Sequence, residues 1–272
     1  MILTISPSSL ESLQECPTKY EYSSIRRLTL IDEKRDALDR GSLFHKLLEV
    51  HYKCVMTGDI KLGDIILAVT QFARELYQND EYDDVQMVEE CIKNYQEYAM
   101  FWKDDGWIPL AIESPFSKVL YEDEQHKIII EGKRDLIVKN ASGTIIPVDH
   151  KTTSKIEYVN PLSNQFMAYV WVDDGSIFIK NEIGFQKSKG PGERFHRHPL
   201  NYDKANLEEW RENTIYDCMK LISYIENDHF PRRYSNCWRC RFGRICETTP
   251  DSREFKMKAL YKVREAYDLY GD

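Results

Sequence analysis

The sequence has no long apolar run. Hydrophobic residues make up 42% of its 272 residues, but no uninterrupted stretch approaches the roughly 20 residues that a membrane-spanning helix needs. The amino terminus also lacks the basic and then apolar pattern of a secretory signal peptide. Both absences favour a protein that stays in the cytoplasm and does not contact a membrane.

An excess of basic charge is also missing. The formal net charge is −8, whereas proteins that bind nucleic acids usually have a positive balance. Part of the deficit is local, because residues 79–90 contain six acidic residues and no lysine or arginine. Acidic metal ligands also count as negative until a cation binds. The net charge therefore does not exclude DNA as a substrate.

Internal repeats, low-complexity linkers and the phosphate-binding motif G-x-x-x-x-G-K-[ST] are absent as well. The last absence excludes a nucleotide-driven motor of that type within this sequence. The length allows one large domain or two modest ones, and we predict a single domain over residues 1–272. Helical spacing predicts amphipathic helices over 62–76 and 85–102. They define a helical insertion at 57–106, which covers the sheet or forms a lid over the substrate groove.

Two neighbouring segments predict a β-hairpin with charged side chains at one end. Residues 131–138 and 145–151 are rich in Ile and Val, and Asn-Ala-Ser-Gly at 140–143 is typical of a turn. Pairing the strands brings Asp135, Asp149 and Lys151 to one end of the sheet. Two carboxylates beside an ammonium group predict a site for a hard cation and hydrolysis of phosphodiester bonds. Solvated charges at the strand ends are the simpler alternative.

The sequence has seven cysteines. A reducing compartment does not favour disulfides, so we consider whether some of these cysteines bind a metal. Cys237, Cys240 and Cys246 have the spacing C-x2-C-x5-C, which lets thiolates approach one metal centre. Cys16, beside a proline in a predicted irregular segment, is the expected fourth ligand. The spacing leaves zinc and an iron–sulfur cluster equally open. Three cysteines lie in predicted helices and are expected to be ordinary thiols: Cys54, Cys91 and Cys218.

Basic and aromatic residues alternate over residues 232–244. They lie within residues 232–250, which form the predicted metal-cluster segment together with residue 16. Arginine binds phosphates and stacks on bases, and aromatic rings stack on bases as well, so this segment predicts a track for single-stranded nucleic acid. A solvated loop with its aromatic rings packed around the metal is the alternative. The predicted contact residues are Arg232, Arg233, Arg239, Arg241 and Trp238.

Taken together, these segments resemble the PD-(D/E)XK nuclease superfamily, and within it the RecB-like branch that carries an iron–sulfur cluster. That branch includes CRISPR-associated adaptation exonucleases and the nuclease domain of the AddAB helicase–nuclease. The resemblance extends from residue 6 to residue 246 and rests on an ordered set of motifs. The set comprises Ser6-Pro7-Ser8-Ser9-Leu10 with Cys16-Pro17, a helix with His45, Gly132-x-x-Asp135, Asp149-x-Lys151, Gln165-x-x-x-Tyr169 and the three late cysteines.

The resemblance implies a restriction-endonuclease-like α/β fold with a central mixed sheet flanked by helices. It implies that His45, Asp135, Asp149 and the backbone carbonyl of His150 hold Mg²⁺ or Mn²⁺. A lone helical histidine such as His45 is otherwise a packed or surface residue. The family often has an aromatic residue at position 150. The four cysteines match the ligands of a [4Fe–4S] cluster joining the N- and C-terminal segments, which favours that cluster over zinc.

The remaining site residues have supporting roles in the resemblance. Lys151 matches the lysine that orients the attacking water and stabilises charge in the transition state. Gln165 and Tyr169 match a helix pair that supports the site and contacts DNA. Glu113, predicted at a strand end, is expected to be a further acid lining the site.

The expected function is a metal-dependent exonuclease that acts on single-stranded DNA ends. The settings left open are CRISPR adaptation, recombination or repair, and phage DNA processing, with a helicase or integrase partner supplied in trans. The alternatives are a catalytically silent DNA-binding scaffold and a structural zinc protein within a larger complex.

Overall fold

A computed structural model describes residues 1–31, 36–156, 159–235 and 237–266. The strands are β1 (Ile2–Ile5), β2 (Leu28–Leu30), β3 (Ile108–Glu122), β4 (Lys127–Lys139), β5 (Ile145–Thr153), β6 (Ile177–Gly184), β7 (Phe195–Asn201) and β8 (Tyr261–Val263). The α-helices are α1 (Pro7–Glu15), α2 (Pro17–Tyr20), α3 (Asp36–Met56), α4 (Leu62–Gln78), α5 (Val85–Phe101), α6 (Asn164–Val172), α7 (Pro191–Arg194), α8 (Lys204–Glu226), α9 (Gly243–Cys246) and α10 (Arg253–Leu260). Within the described ranges, no helix is long and apolar enough to cross a membrane.

The chain divides into two compact units. Unit 1 consists of Met1–Lys34, Pro115–Gly132 and Asp203–Asp272, and unit 2 consists of Arg35–Ser114 and Lys133–Tyr202. Strands β3 and β4 contribute residues to both units. The expectation of one domain over the whole length stays a prediction.

Unit 2 is built on a mixed sheet. β4 pairs antiparallel with β5, β5 pairs parallel with β6, and β6 pairs antiparallel with β7. Helices α3, α4 and α5 share one apolar core with alternate residues of these strands, including Leu136 and Val148. Helix α6 packs on the opposite face, where Phe166 stacks on Phe178 with ring centroids 4.5 Å apart. The expected mixed sheet flanked by helices is therefore confirmed.

The predicted turn between β4 and β5 forms through contacts of its own residues. The Asn140 side chain accepts hydrogen bonds from the backbone N–H groups of Ser142 and Thr144, at 3.0 and 2.9 Å. Gly143 has φ of +85°, a conformation that glycine adopts without a steric penalty. The strands then pair from Lys139 with Ile145 to Leu136 with Val148.

The helices of the predicted insertion, α4 and α5, lie against the sheet rather than apart from it. Ile65 and Val69 of α4, and Tyr95 and Tyr98 of α5, belong to the core that includes the sheet residues of unit 2. Their apolar stripes follow the helical period, so one face of each helix is buried. That the segment 57–106 is an insertion or a lid over the substrate groove stays a prediction.

Unit 1 joins the N-terminal segment to the C-terminal one. β1 pairs in parallel with the first part of β4, from Ile2 with Lys127 to Ile5 with Ile130. Ser6 caps α1 through a capping box with Ser9, which satisfies donors left free at a helix start. Helix α1 contacts α8. A small core holds the C-terminal segment in place: Tyr22, Leu28, Phe242, Ile245, Met257 and Tyr261.

Candidate active site

The end of the β4–β5 pairing creates the site. Backbone pairing ends at the pair Leu136 and Val148. The next residues along the two strands, Asp135 on β4 and Asp149 on β5, lie just beyond the paired region. Beyond this point the main-chain N–H of His150 donates to Oδ2 of Asp135 at 2.7 Å. A carboxylate thus replaces a backbone acceptor in the ladder, and the Asp135 side chain is fixed where the strands separate.

Three side chains converge at this position. One ligand atom from each of His45, Glu113 and Asp135 lies within 4.8 Å of those of the other two. Nδ1 of His45, on α3, is 3.4 Å from Oδ2 of Asp135, and Lys133 Nζ is 3.5 Å from Glu113 Oε2. An imidazole nitrogen with carboxylate oxygens suits a divalent cation such as Mn²⁺ or Mg²⁺. The donor set therefore fits the metal that the sequence predicts.

The backbone at Glu113 is strained. Its φ is +47°, in the left-handed region that non-glycine residues seldom occupy and that costs about 1–3 kcal/mol. The residue lies inside β3 rather than at a strand end, and the alternation of buried and exposed residues is lost around it. The strained backbone places the carboxylate beside His45 and Asp135. The sequence offered only an acid after an apolar run as a signal for this residue.

A second group of contacts surrounds Asp149, which is 1% exposed. Lys151 Nζ lies 2.9 Å from Oδ2 and 3.2 Å from Oδ1 of Asp149. Gln165 Nε2, on α6, donates to the same Oδ1 at 2.9 Å. The Asp149 carboxylate is thus engaged by an ammonium and an amide, and it lies outside the three-residue group. That Asp149 shares a cation with His45 and Asp135 stays a prediction.

Helix α6 is tied to both strands of the hairpin. Gln165 Nε2 also donates to the hydroxyl of Tyr169, at 2.9 Å. Tyr169 in turn donates to the carbonyl oxygen of Lys133, at 2.9 Å. The four-residue spacing of the two side chains puts them on one helix face, and that face meets the sheet. Helix α6 begins at Asn164, with Ser163 as its N-cap residue.

The electrostatics of the site favour a bound cation. Burial raises the pKa of Asp135 well above its ordinary value, and the charge of Asp149 raises it further. Burial likewise raises the pKa of Glu113 and lowers the pKa of His45. Neighbouring buried carboxylates repel each other, and a divalent ion between them would remove that cost.

The four predicted cysteine ligands line one cavity in unit 1. Cys16, Cys237, Cys240 and Cys246 surround it together with Tyr22 and other residues. All four are half-buried free thiols. Residue 236 of the predicted metal-cluster segment lies outside the described residues. The remaining cysteines lie elsewhere, with Cys91 and Cys218 fully buried.

The donor set of this cavity bears on the metal that it fits. Four thiols around one cavity suit either a structural zinc ion or an iron–sulfur cluster. The iron–sulfur cluster stays a prediction.

The arginine and aromatic segment is partly exposed and partly structural. Trp238 is 75% exposed, and the Arg239 guanidinium lies over its ring at 4.2 Å from the centroid. Arg232 Nη1, by contrast, donates to the carbonyl of Cys246 at 3.1 Å. Arg233 and Arg241 have exposed side chains. Four of the five predicted contact residues are thus exposed, whereas Arg232 braces the cysteine segment. The nucleic-acid track stays a prediction.

Comparison with known proteins assigns the chain to a family. Residues 4–247 match the model of the PD-(D/E)XK nuclease superfamily, and the chain belongs to that superfamily. Its members use divalent metals, in agreement with the acidic group found here. A comparison with curated proteins finds no match.

One solved structure supports the fold. A structure from Eubacterium rectale described as a "putative exonuclease" has 12% sequence identity and a TM-score of 0.51, covering 90% of this chain and 89% of that chain. The protein SSO0001 has 17% identity and a TM-score of 0.41, covering 90% of this chain and 86% of that one. The Eubacterium rectale structure thus shares the mixed α/β fold.

Proposed function

We propose that this chain is a divalent-cation-dependent deoxyribonuclease that acts as an exonuclease on single-stranded DNA ends. The observation that carries the proposal is the convergence of His45, Glu113 and Asp135, with the Asp149–Lys151 pair on the adjoining strand. Superfamily membership makes DNA the expected substrate.

In this proposal the cation is held by His45, Asp135, Asp149 and the backbone carbonyl of His150. Glu113 is added as a ligand because its donor atom lies with those of His45 and Asp135. A Mg²⁺ or Mn²⁺ ion here would polarise the phosphodiester and lower the pKa of a water molecule. One ion or two would satisfy this scheme.

The chain's own residues supply the remaining chemistry. Lys151 exchanges its ion pair with Asp149 for contact with the attacking water and the phosphate, where its charge stabilises the transition state. Gln165 keeps the Asp149 carboxylate oriented during that exchange, because it holds Oδ1 independently of the lysine. Tyr169 fixes Gln165 in turn. Gln165 and Tyr169 also face the DNA in this scheme.

We infer further that Cys16, Cys237, Cys240 and Cys246 hold a [4Fe–4S] cluster, which would place the chain in the RecB-like iron–sulfur branch. The support is the single cavity that the four thiols line. Structural zinc is the alternative. The cluster's role is structural, since it would tie residue 16 to the late cysteine segment within unit 1.

Single-strand preference is supported by the exposed Trp238 with its stacked Arg239. Base–aromatic stacking is worth about 1–3 kcal/mol per base and tolerates any sequence. A helicase or integrase partner in trans is part of the same proposal.

The test combines metal analysis with a nuclease assay. The full-length protein is purified without oxygen, and its iron, zinc and visible absorbance are measured. It is then incubated with linear and circular single-stranded DNA and Mn²⁺, beside Lys151→Ala and the control Lys139→Ala, a lysine at the far end of β4. We expect a brown protein that degrades only linear DNA, with loss of activity in Lys151→Ala alone.

Each other outcome contradicts one part of the proposal. Digestion of circular DNA would contradict exonuclease action. A colourless zinc protein would contradict the cluster. Inactivity of the parent protein with intact Mn²⁺ binding would favour the silent DNA-binding scaffold.

A further inference from the structure

The side chain of His150 lies on the face of β5 opposite to Asp149 and Lys151. It is 3% exposed, and its ring stacks on Tyr52 of α3, with centroids 5.8 Å apart and ring planes 2° from parallel. Asp149 and Lys151 lie on one side of this strand. The His150 ring packs on the other side, against the helices that cover the sheet, where its centroid is also 6.0 Å from that of the His45 ring on α3.

Asn181 holds this ring by its edge. Residues 150 and 181 are direct neighbours across the parallel β5–β6 pair, and Asn181 is 0% exposed. Its amide nitrogen donates to Nδ1 of His150 at 2.8 Å and to the hydroxyl of Tyr98 at 2.9 Å. Because an amide nitrogen can only donate, Nδ1 accepts and the ring proton is on Nε2.

Tyr98 connects this pair to the helical insertion. Arg197 Nη2 lies 3.4 Å from the Tyr98 hydroxyl and 2.8 Å from Asp105 Oδ2. The Arg197 guanidinium lies over the rings of Trp102 and Trp107, at 3.9 and 3.4 Å from their centroids. Residues of α5 and of the segment after it are therefore bonded, through one buried network, to the ring of His150.

The main chain of the same residue belongs to the site. The His150 N–H donates to Asp135 Oδ2 at 2.7 Å. A rotation of the peptide at position 150 would change the direction of this hydrogen bond and hence of the carboxylate. Groups that orient metal ligands commonly matter almost as much as the ligands themselves.

We propose that Asn181 and the His150 ring are positioning residues through which the covering helices fix the peptide at position 150, and with it the Asp135 carboxylate, for cation binding. This inference rests on the proposed function, because it assumes that Asp135 binds the cation. It assigns a role to the helical insertion, which braces β5 beside the metal site.

A purely structural role is the competing explanation, since buried polar groups need hydrogen-bond partners wherever they lie. The two explanations differ in what a substitution changes. Loss of a structural hydrogen bond lowers the free energy of unfolding and leaves cation affinity unchanged. Loss of a positioning contact lowers cation affinity in protein that is still folded.

The experiment measures Mn²⁺ binding to the full-length protein by calorimetry in the absence of DNA. We expect Asn181→Leu and His150→Phe each to weaken the Mn²⁺ Kd about 10- to 100-fold. His150→Phe keeps an aromatic ring to stack on Tyr52. Because the two residues act as one unit, the double variant is expected to bind no more weakly than the worse single variant.

The control is Asn94→Leu, which removes another buried amide of unit 2. Asn94 donates to the Gly184 carbonyl at 3.2 Å and accepts from Arg194. We expect it to lower the melting temperature without changing the Mn²⁺ Kd.

Unchanged affinity in folded Asn181→Leu, or strictly additive losses in the double variant, would overturn the proposal. If Asn181→Leu does not fold, Tyr98→Phe removes only the hydroxyl that Asn181 contacts and gives the same readout. Asp135→Ala tests the proposed function separately from the positioning proposal. Normal Mn²⁺ binding in that variant would contradict the proposed function itself.

Discussion

Gln165 on α6 and Asp149 on β5 are joined by a 2.9 Å hydrogen bond between Nε2 and Oδ1. Among the described residues, two side chains contact the Asp149 carboxylate. Lys151 is charged, whereas Gln165 is neutral. An amide keeps its position when the charge around the carboxylate changes. This contact therefore leads to the first prediction.

Gln165→Leu is expected to lower kcat about 10- to 100-fold, because an outer residue that orients a ligand typically contributes that much. Rates on end-labelled single-stranded DNA measure the effect. Gln96→Leu is the matched control, since Gln96 donates to Thr70 between α5 and α4 at 3.3 Å and has no contact with the sheet described. Equal rates in both variants would contradict the role given to Gln165.

Lys151→Ala is expected to separate catalysis from cation binding. Loss of a transition-state donor lowers kcat by about 10²–10³. Removal of the ammonium also frees Asp149, so the Mn²⁺ Kd stays the same or becomes tighter. Calorimetry beside single-turnover rates measures both quantities. Weaker Mn²⁺ binding in this variant would show that the lysine supports the ligands instead of competing for one of them.

Gly132→Ala is expected to destabilise unit 1. A Cβ at this position would lie 2.8 Å from Cζ of Phe116, and such overpacking costs about 1–3 kcal/mol. Denaturant titration measures the free energy of unfolding. The cost should shrink when Phe116→Leu is present as well. Gly63→Ala is the control, because a Cβ there meets nothing within 4 Å and improves helix propensity.

Cys16→Ala is expected to remove the metal cluster, whereas Cys218→Ala leaves it intact. Cys16 lines the cavity with the three late cysteines, while Cys218 is buried within α8. Iron content and visible absorbance after purification without oxygen give the readout. Full iron content in Cys16→Ala would mean that another residue supplies the fourth ligand.

Trp238→Ala is expected to weaken binding of a single-stranded oligonucleotide by about 1–3 kcal/mol, the usual value of one stacked base. Fluorescence anisotropy without divalent cations measures binding apart from cleavage. Phe255→Ala is the control, because Phe255 is a similarly exposed aromatic residue of unit 1. Equal affinities in the two variants would exclude Trp238 from the DNA track.

Local patterns were sufficient to predict much of this molecule. The turn at Asn140 and Gly143 and the apolar alternation on either side are sequence-local, so the hairpin and its mixed sheet are confirmed. Helix periodicity likewise gave α4 and α5 within a few residues. The four cysteines were predicted as a set, and the structure brings them to one cavity.

Other features depend on tertiary structure and left no local signal. The positive φ of Glu113 is imposed inside a long strand, where sequence alone suggested a strand end. Asn181 carries no motif, and its importance appears only once β6 lies beside β5. Lys151 and Gln165 are found on Asp149 in the structure, a competition that a list of ligand types does not express.

The order of synthesis has a consequence for unit 1. Its first segment, Met1–Lys34, leaves the ribosome long before Asp203–Asp272, which completes the unit. Helix α1 contacts α8, so Leu10 and Leu13, buried in the finished protein, do not reach their final environment before α8 is made. A chaperone that shields the apolar face of α1 until then would raise the yield of folded protein.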